Sequence, residues 1–435
     1  MSRKLRLILT AAFLAVFAFS AIGISAQAQT VELRILWYND GDEEKALRPL
    51  LDKFEAENPG IKVTLDVIAF ADLHNILQAN LDGGTPPDMA SITELGRFQG
   101  RYLDLRPSLM DAADFEKKFG NTLNWLRVPG GEDNGIYGFP RTVTVSGPFI
   151  NATLFEQAGV AIPEGDQTTW EEWIALATEV KEKTGVPYAV AIDRSGHRSF
   201  GPAMSYGATL LDPKTGKFTV DSPGFRAWAE VFQKWHTDNL TPAEVWIGGG
   251  GNYVAAKDYF VNGELVFYYS GGWQISAFTR EIADNFEWRA VPQPCGPAAC
   301  TGMPGGTMIV GFKDTKHPAE VAKVMEYMAS DDVMREYHLN SLFATGNLNL
   351  IEAGIEYPVS TEAFNVFLNN LPKITEQAFQ IQGHPLVSVI NVEMRDQFGR
   401  WLAGEITLDE AIIRMQTKVD EACAAEPQKC VPLVK

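Results

Sequence analysis

The stretch from Val31 to Ile92 constrains the fold more than any other part of the chain. Val31-Glu32-Leu33-Arg34-Ile35-Leu36-Trp37 reads as an apolar strand ending in the polar turn Tyr38-Asn39-Asp40-Gly41-Asp42. Asp42 is placed to cap a helix with Glu43 and Glu44 in its first turn and an apolar stripe of Ala46, Leu47, Leu50, Leu51 and Phe54. Asn58-Pro59-Gly60 ends it, and Ile61, Val63, Leu65 and Val67 then alternate with polar residues as a second strand. A helix carrying Leu73, Ile76, Leu77 and Leu81 breaks at Gly83-Gly84-Thr85-Pro86-Pro87, and Asp88-Met89-Ala90-Ser91-Ile92 is a short buried strand. Strand and helix alternating at this spacing predict an α/β fold, an open parallel sheet with helices on both faces. Such sheets bind ligands beyond the carboxyl ends of their strands. That rule places Trp37, Tyr38, Asn39 and Asp40, and then Ser91, Thr93 and Glu94, on a binding rim.

The chain is 435 residues long with 46% hydrophobic content. Single cores stop growing near 250–300 residues, so two lobes are expected. A new unit opens near residue 139 with the strand Thr142–Val145, and helices follow at about 169–184 and 223–238. No internal repeat, low-complexity tract or long linker separates the parts. Crossing strands that can act as hinges are therefore expected between the lobes.

The charge balance narrows the partners. Fifty-five acidic against 37 basic residues give −18. That disfavours nucleic acid, whose binders set Lys and Arg against phosphates, and disfavours anionic membrane surfaces. A charged ligand would have to be held by a local cluster that overrides the overall field.

Residues 1–28 read as a signal peptide. Arg3, Lys4 and Arg6 precede an apolar run to about Ile24, and Ala26-Gln27-Ala28 supplies a small-x-small cleavage site. The run is nearly long enough for a membrane anchor, but the cut site and the missing stop-transfer flank favour cleavage. Its removal would take the net charge from −18 to −21. Export, to a periplasmic or extracellular location, makes disulfides the natural reading of Cys295 with Cys300 and of Cys423 with Cys430. The spacings do not match zinc knuckles, and the six histidines show no metal-like pattern, so no metal or cofactor is expected.

Further along, a series of phrases resembles one known family. They are Phe54-Glu-Ala-Glu-Asn-Pro-Gly-Ile-Lys-Val63, Pro86-Pro87-Asp88, Ile136-Tyr-Gly-Phe-Pro140, Phe149-Ile-Asn-Ala-Thr-Leu-Phe155, Thr169-Trp-Glu-Glu-Trp173, Asn262-Gly-Glu264, Gly271-Gly-Trp273 and Gly305-Gly306. Their order resembles the extracellular solute-binding proteins of bacterial ABC importers, in the carbohydrate branch. The resemblance implies a two-lobed periplasmic-binding-protein fold with an interlobe hinge and a ligand cleft. It also implies an oligosaccharide ligand, ABC permease subunits as partners, and a monomer. Aligned in this way, residues 29–141 with about 305–355 form an amino-terminal lobe, and residues 142–304 with about 356–435 a carboxy-terminal lobe. Crossings fall near 140–144, 302–308 and 350–360.

A narrower similarity lies in Asp193-Arg-Ser-Gly-His-Arg198, Gly201-Pro-Ala-Met-Ser-Tyr-Gly207 and the stretch Cys295–Gly306. These resemble the subgroup that binds oligogalacturonides such as α-1,4-digalacturonate, and they bring Tyr206, Gly305 and Gly306 into the candidate site.

A sugar offers flat C–H faces edged by hydroxyls, so its site needs aromatic plates and planar polar groups. Trp170, Trp173, Trp228 and Trp235 sit at helical spacings that suit a core. Trp37, Trp246 and Trp273 stand beside turns or glycines, where a ring can enter a cleft. Arg194, His197 and Arg198 form a basic island, with Arg141 and Arg97 as further candidates for a carboxylate, which guanidinium binds through two parallel hydrogen bonds. Each charge-assisted bond is worth roughly 1.5–3 kcal/mol, enough to separate acidic from neutral sugars by about tenfold to a hundredfold.

Catalytic motifs are missing: no H-E-x-x-H, G-x-S-x-G or Walker loop occurs. Glu171-Glu172 suits a helix start better than glycoside hydrolysis. The reading is therefore a non-enzymatic carrier of oligosaccharide, acidic by preference. The alternatives are a carrier of neutral oligosaccharide, a secreted carbohydrate-active enzyme, and a carrier of polyamines.

Overall fold

The computed structural model describes residues 30–39, 41–128, 133–248 and 253–433. The expected signal segment and Asp40 lie outside the described residues. Strand β1 (Val31–Trp37) pairs in parallel with β2 (Ile61–Val67), from Val31 opposite Ile61 to Trp37 opposite Val67, and on its other edge with β3 (Met89–Ile92). The alternation of β1 feeds both faces. Leu33, Ile35 and Trp37 pack with Leu47, Leu50, Leu51 and Phe54 of the helix Glu43–Glu57, whereas Leu36 packs with Leu73, Leu77 and Leu81 of the helix Phe70–Asp82. Pro49 is accommodated inside the first of these helices.

The sheet runs on from β3 by two long antiparallel strands, β4 (Gly138–Asn151) and β10 (Pro304–Gly311). Strand β4 is shared: its first half pairs with β10, and its second half with β8 (Leu265–Gly271) and β9 (Trp288–Ala290). Strand β5 (Tyr188–Ile192) closes the far edge in parallel with β8, and β6 (Leu211–Asp212) and β7 (Lys217–Phe218) make a separate ribbon.

Hydrophobic burial divides along β4. One large cluster draws on residues from Val145 to Met303 and from Tyr357 to Cys423. Two smaller ones draw on Leu33 to Phe139 and on Met308 to Leu350. The larger core is built on tryptophans: Trp170 lies 5.4 Å from Trp228 and 5.9 Å from Trp235 between ring centroids. Disulfides join Cys295 to Cys300 and Cys423 to Cys430. Among the described residues, no helix is long and apolar enough to cross a membrane.

Candidate functional site

Where the two groups of strands meet, a cavity of about 390 Å³ opens over the β4–β10 pair. Its floor is strand backbone and hydroxyls: Thr142 and Thr144 on β4, and Gly305, Gly306 and Thr307 on β10. Gly306 sits at φ +139°, and a Cβ there would lie 2.2 Å from the Thr142 carbonyl oxygen, so only glycine fits. The amino-terminal wall is Tyr38, Thr93, Glu94 and Phe70. The Phe70 ring is 49% exposed and lies 5.0 Å from Tyr38, whose hydroxyl bonds to Thr307 Oγ1 at 2.7 Å.

The opposite wall is built by the helices Gly196–Ser205 and Val387–Leu402 and the turn at Trp273. The two helices touch backbone to backbone, since a Cβ on Gly196 would sit 2.3 Å from the Asn391 carbonyl. The guanidinium of Arg198 lies on the Trp273 ring at 3.9 Å. Its Nη1 donates to Ser146 Oγ (3.0 Å) and to His197 Nδ1 (2.6 Å). A guanidinium only donates, so His197 Nδ1 accepts and the ring proton sits on Nε2. Nε2 in turn faces Gln382 Oε1 at 3.0 Å and the Pro304 carbonyl at 3.2 Å. Burial first, then the Arg198 charge, depress the His197 pKa to about 3, so this histidine is neutral.

Arg198 is balanced from behind. Asp193 Oδ2 lies 3.5 Å from its Nε, while Asp193 also accepts the hydroxyls of Tyr268 (2.5 Å) and Ser270 (2.6 Å). The counterion is thus held away from the cavity, and Arg198 is left on the wall. Arg194 and Arg395 complete a basic rim, and Glu94 is the one carboxylate among the described residues lining the cavity. A larger cavity, about 560 Å³ between the helices Asp331–Ser341 and Thr361–Asn370, carries only Arg335 and Glu356 as charges and gathers no comparable cluster.

Of the residues expected from sequence, Tyr38, Glu94, Arg194, His197, Arg198, Trp273, Gly305 and Gly306 meet at this cavity. The others, Asp40 apart, are placed elsewhere and call for correction. Trp37 is fully buried in the amino-terminal core, and Trp246 is buried between Phe232 and Phe398 with its Nε1 donating to the Ile192 carbonyl. Neither stands in the cleft as a plate. Asn39 holds local structure: its Oδ1 accepts from the backbone N–H of Glu44, doing the capping expected of Asp42, whose side chain makes no cap bond. Ser91 is buried within β3.

Arg141 is only 3% exposed, for a reason the strand pattern conceals. Thr307 pairs with Thr142 but Met308 pairs with Pro140, so Arg141 is the extra residue of a β-bulge and turns into the core. There it stacks on Trp37 at 4.4 Å, donates to the Tyr337 hydroxyl at 3.0 Å and faces buried Glu43 at 3.6 Å. Arg97 pairs with Glu94 at 2.8 Å, behind the wall. Tyr206 donates its hydroxyl to Glu171 at 2.5 Å, outside the cavity. Asp40 is outside the described residues.

Sequence reasoning missed Phe70, Thr307, Gln382, Asn391 and Arg395. Phe70 was within reach: it follows the carboxyl end of β2, where the rim rule applied to β1 and β3 works equally. Gln382, Asn391 and Arg395 come from the carboxy-terminal helices and carry no local signal. Among the described residues, no group of three or more His, Cys, Asp or Glu is placed to hold a metal ion.

Comparison with known proteins agrees with this architecture. The model of the family described as bacterial extracellular solute-binding protein matches residues 40–335. A multiple sugar-binding protein of Streptococcus mutans is 24% identical over 340 residues, 72% of this chain and 75% of that one. An ABC substrate-binding protein of Listeria monocytogenes, solved in complex with cycloalternan, superposes with a TM-score of 0.76 at 18% identity, covering 91% of this chain and 100% of that chain. The GacH receptor of Streptomyces glaucescens, solved unliganded and with acarbose, gives the same TM-score and identity over 91% of this chain and 98% of that one. These likenesses carry the two-lobed periplasmic-binding-protein fold.

Proposed function

The chain belongs to the bacterial extracellular solute-binding proteins, and from that premise we propose that it captures an acidic oligosaccharide between its lobes and delivers it to an ABC permease. The observation that carries the acidic preference is the cavity wall. Arg194, Arg198 and Arg395 line it against Glu94, the one carboxylate among the described lining residues, in a chain whose net charge is −18. A uronide carboxylate suits the fork of such arginines, and Phe70 and Trp273 suit the faces of its sugar rings. Oligogalacturonide, digalacturonate among them, is the favoured class.

In this reading residues 1–28 are removed on export and the mature chain acts as a monomer. Its lobes comprise residues 29–141 with about 305–355, and 142–304 with about 356–435. Ligand bridges the two walls and shifts an open–closed equilibrium toward the closed form. A micromolar affinity would amount to about −8 kcal/mol after the cost of closure.

Calorimetry with digalacturonate, a neutral disaccharide and spermidine tests the proposal. Saturable heat with digalacturonate alone supports it, and heat with only the neutral sugar or spermidine removes the uronide. A neutral oligosaccharide is the second reading. It is supported by the hydroxyl and amide lining of Thr142, Thr144, Thr307, Gln382 and Asn391, and by the sugars named for the similar proteins. Incubation with oligogalacturonides and assay for new chain ends tests the enzymatic alternative; turnover would overthrow the carrier reading.

A further inference from the structure

The cavity does not end at its basic rim. Arg194 and Arg395 are shared with a second chamber of about 480 Å³, which continues along the same helix past Gly399 to Arg400, Ala403 and Glu405. From Ser388 in the first chamber to Ala403 in the second the helix rises about 22 Å, far more than a disaccharide spans. The two chambers adjoin at Arg194 and Arg395, which line both and form the waist of the groove that the chambers would make together.

The waist is charged in an unusual way. Arg194 lies over the half-exposed Tyr253 ring at 3.6 Å and approaches Asp396 at 3.5 Å, while Arg395 pairs with the same Asp396 at 2.8 Å. Two guanidinium groups therefore share one carboxylate. The Nε of Arg194 is buried with no hydrogen-bond partner, and so is the Oδ1 of Asn391, one helical turn before Arg395. Gly399 lets the helix pack closely at this point: a Cβ there would lie 3.6 Å from Arg194 Nη2 and 3.1 Å from the Trp246 carbonyl.

We propose that the second chamber is an additional binding site for acidic sugar units, so that the groove holds a chain longer than a disaccharide with one carboxylate at Arg198 and another at the Arg194–Arg395 waist. This rests on the uronide reading above and adds to it a length requirement and a second carboxylate. A third arginine, Arg400, lies beyond the waist in partial neutralisation by Glu405 at 3.1 Å. Tyr253 supplies the ring on that side.

Calorimetry of the whole protein with digalacturonate and with tetragalacturonate reads the length requirement directly. The longer ligand is expected to bind about tenfold more tightly, the worth of one added charge-assisted contact. Ala403→Trp, which fills the second chamber, and Tyr253→Ala, which removes its ring, should each bring the ratio of the two affinities toward one. Equal affinities in the unaltered protein, or a ratio that neither substitution changes, overturn this inference and leave the uronide reading standing. Failure of both ligands to bind removes the two together.

Discussion

Two arginines, Arg141 beneath the amino-terminal wall and Arg198 in the opposite one, have nearly the same immediate surroundings. Each lies on a tryptophan ring, at 4.4 and 3.9 Å, and each faces a carboxylate, at 3.6 and 3.5 Å. They differ in what surrounds the counterion. Glu43 is fully buried and Arg141 only 3% exposed, so that pair is closed off from solvent. Asp193 is drawn back by Tyr268 and Ser270, which leaves Arg198 lining the cavity. The placement of its partner leaves one cation facing the cavity, and the same chemistry with the partner alongside becomes part of the fold.

The largest expected effect follows from the closed pair. Arg141→Met removes the guanidinium that faces buried Glu43, and should lower unfolding stability by about 3–5 kcal/mol. Urea denaturation measures it, and adding Glu43→Gln should restore much of the loss. The ratio of acidic to neutral sugar affinity should be unchanged in the folded protein. A lost ratio with normal stability would erase the distinction between the two arginines.

The open pair should respond in the opposite sense. Arg198→Gln removes a contact worth roughly 1.5–3 kcal/mol, so digalacturonate should bind about tenfold to a hundredfold more weakly while a neutral disaccharide changes little. Equal losses for the two sugars would place Arg198 with Arg141 as a structural cation.

This contrast also shows what the sequence could convey. The alternating strands and helices from Val31 to Ile92 are written in local periodicity, and the rim rule brought Tyr38 and Glu94 to the cavity. The basic island of Arg194, His197 and Arg198 was legible because its three members sit within five residues. Arg141 misled because a β-bulge reverses the direction of a side chain without any mark in the residue pattern. Trp37 and Trp246 misled because a ring beside a turn looks the same whether it faces a cleft or a core. Arg395 and Gln382 were out of reach, since their place depends on how distant helices pack across β4.

A smaller effect links His197 to the open pair. Its folded pKa of about 3 lies below the unfolded value of about 6.5, so the unfolded chain takes up its proton first. Stability should therefore fall as pH drops from about 6.5 toward 3, by up to about 1.4 kcal/mol per unit from this group. His74, His236 and His384, depressed to about 4, and His338, to about 3, act in the same direction. His197→Gln should flatten the slope of urea midpoint against pH by one share, and an unaltered slope would contradict the buried neutral ring. Digalacturonate affinity should stay level between pH 7 and 5, since Arg198 keeps a neutral acceptor throughout that range.

The smallest effect decides how far Trp273 differs from Trp37. A guanidinium over an indole is worth about 0.5–1 kcal/mol at a partly exposed site, so Trp273→Leu should weaken digalacturonate by about twofold to fivefold. If a neutral disaccharide weakens equally, the ring acts as a plate for sugar. If only the uronide weakens, the ring acts by aiming Arg198. A Trp273→Leu protein that binds both sugars normally but unfolds at much lower urea would make Trp273 the counterpart of Trp37, a ring that packs beneath a cation, and would move the binding surface to the Phe70 wall.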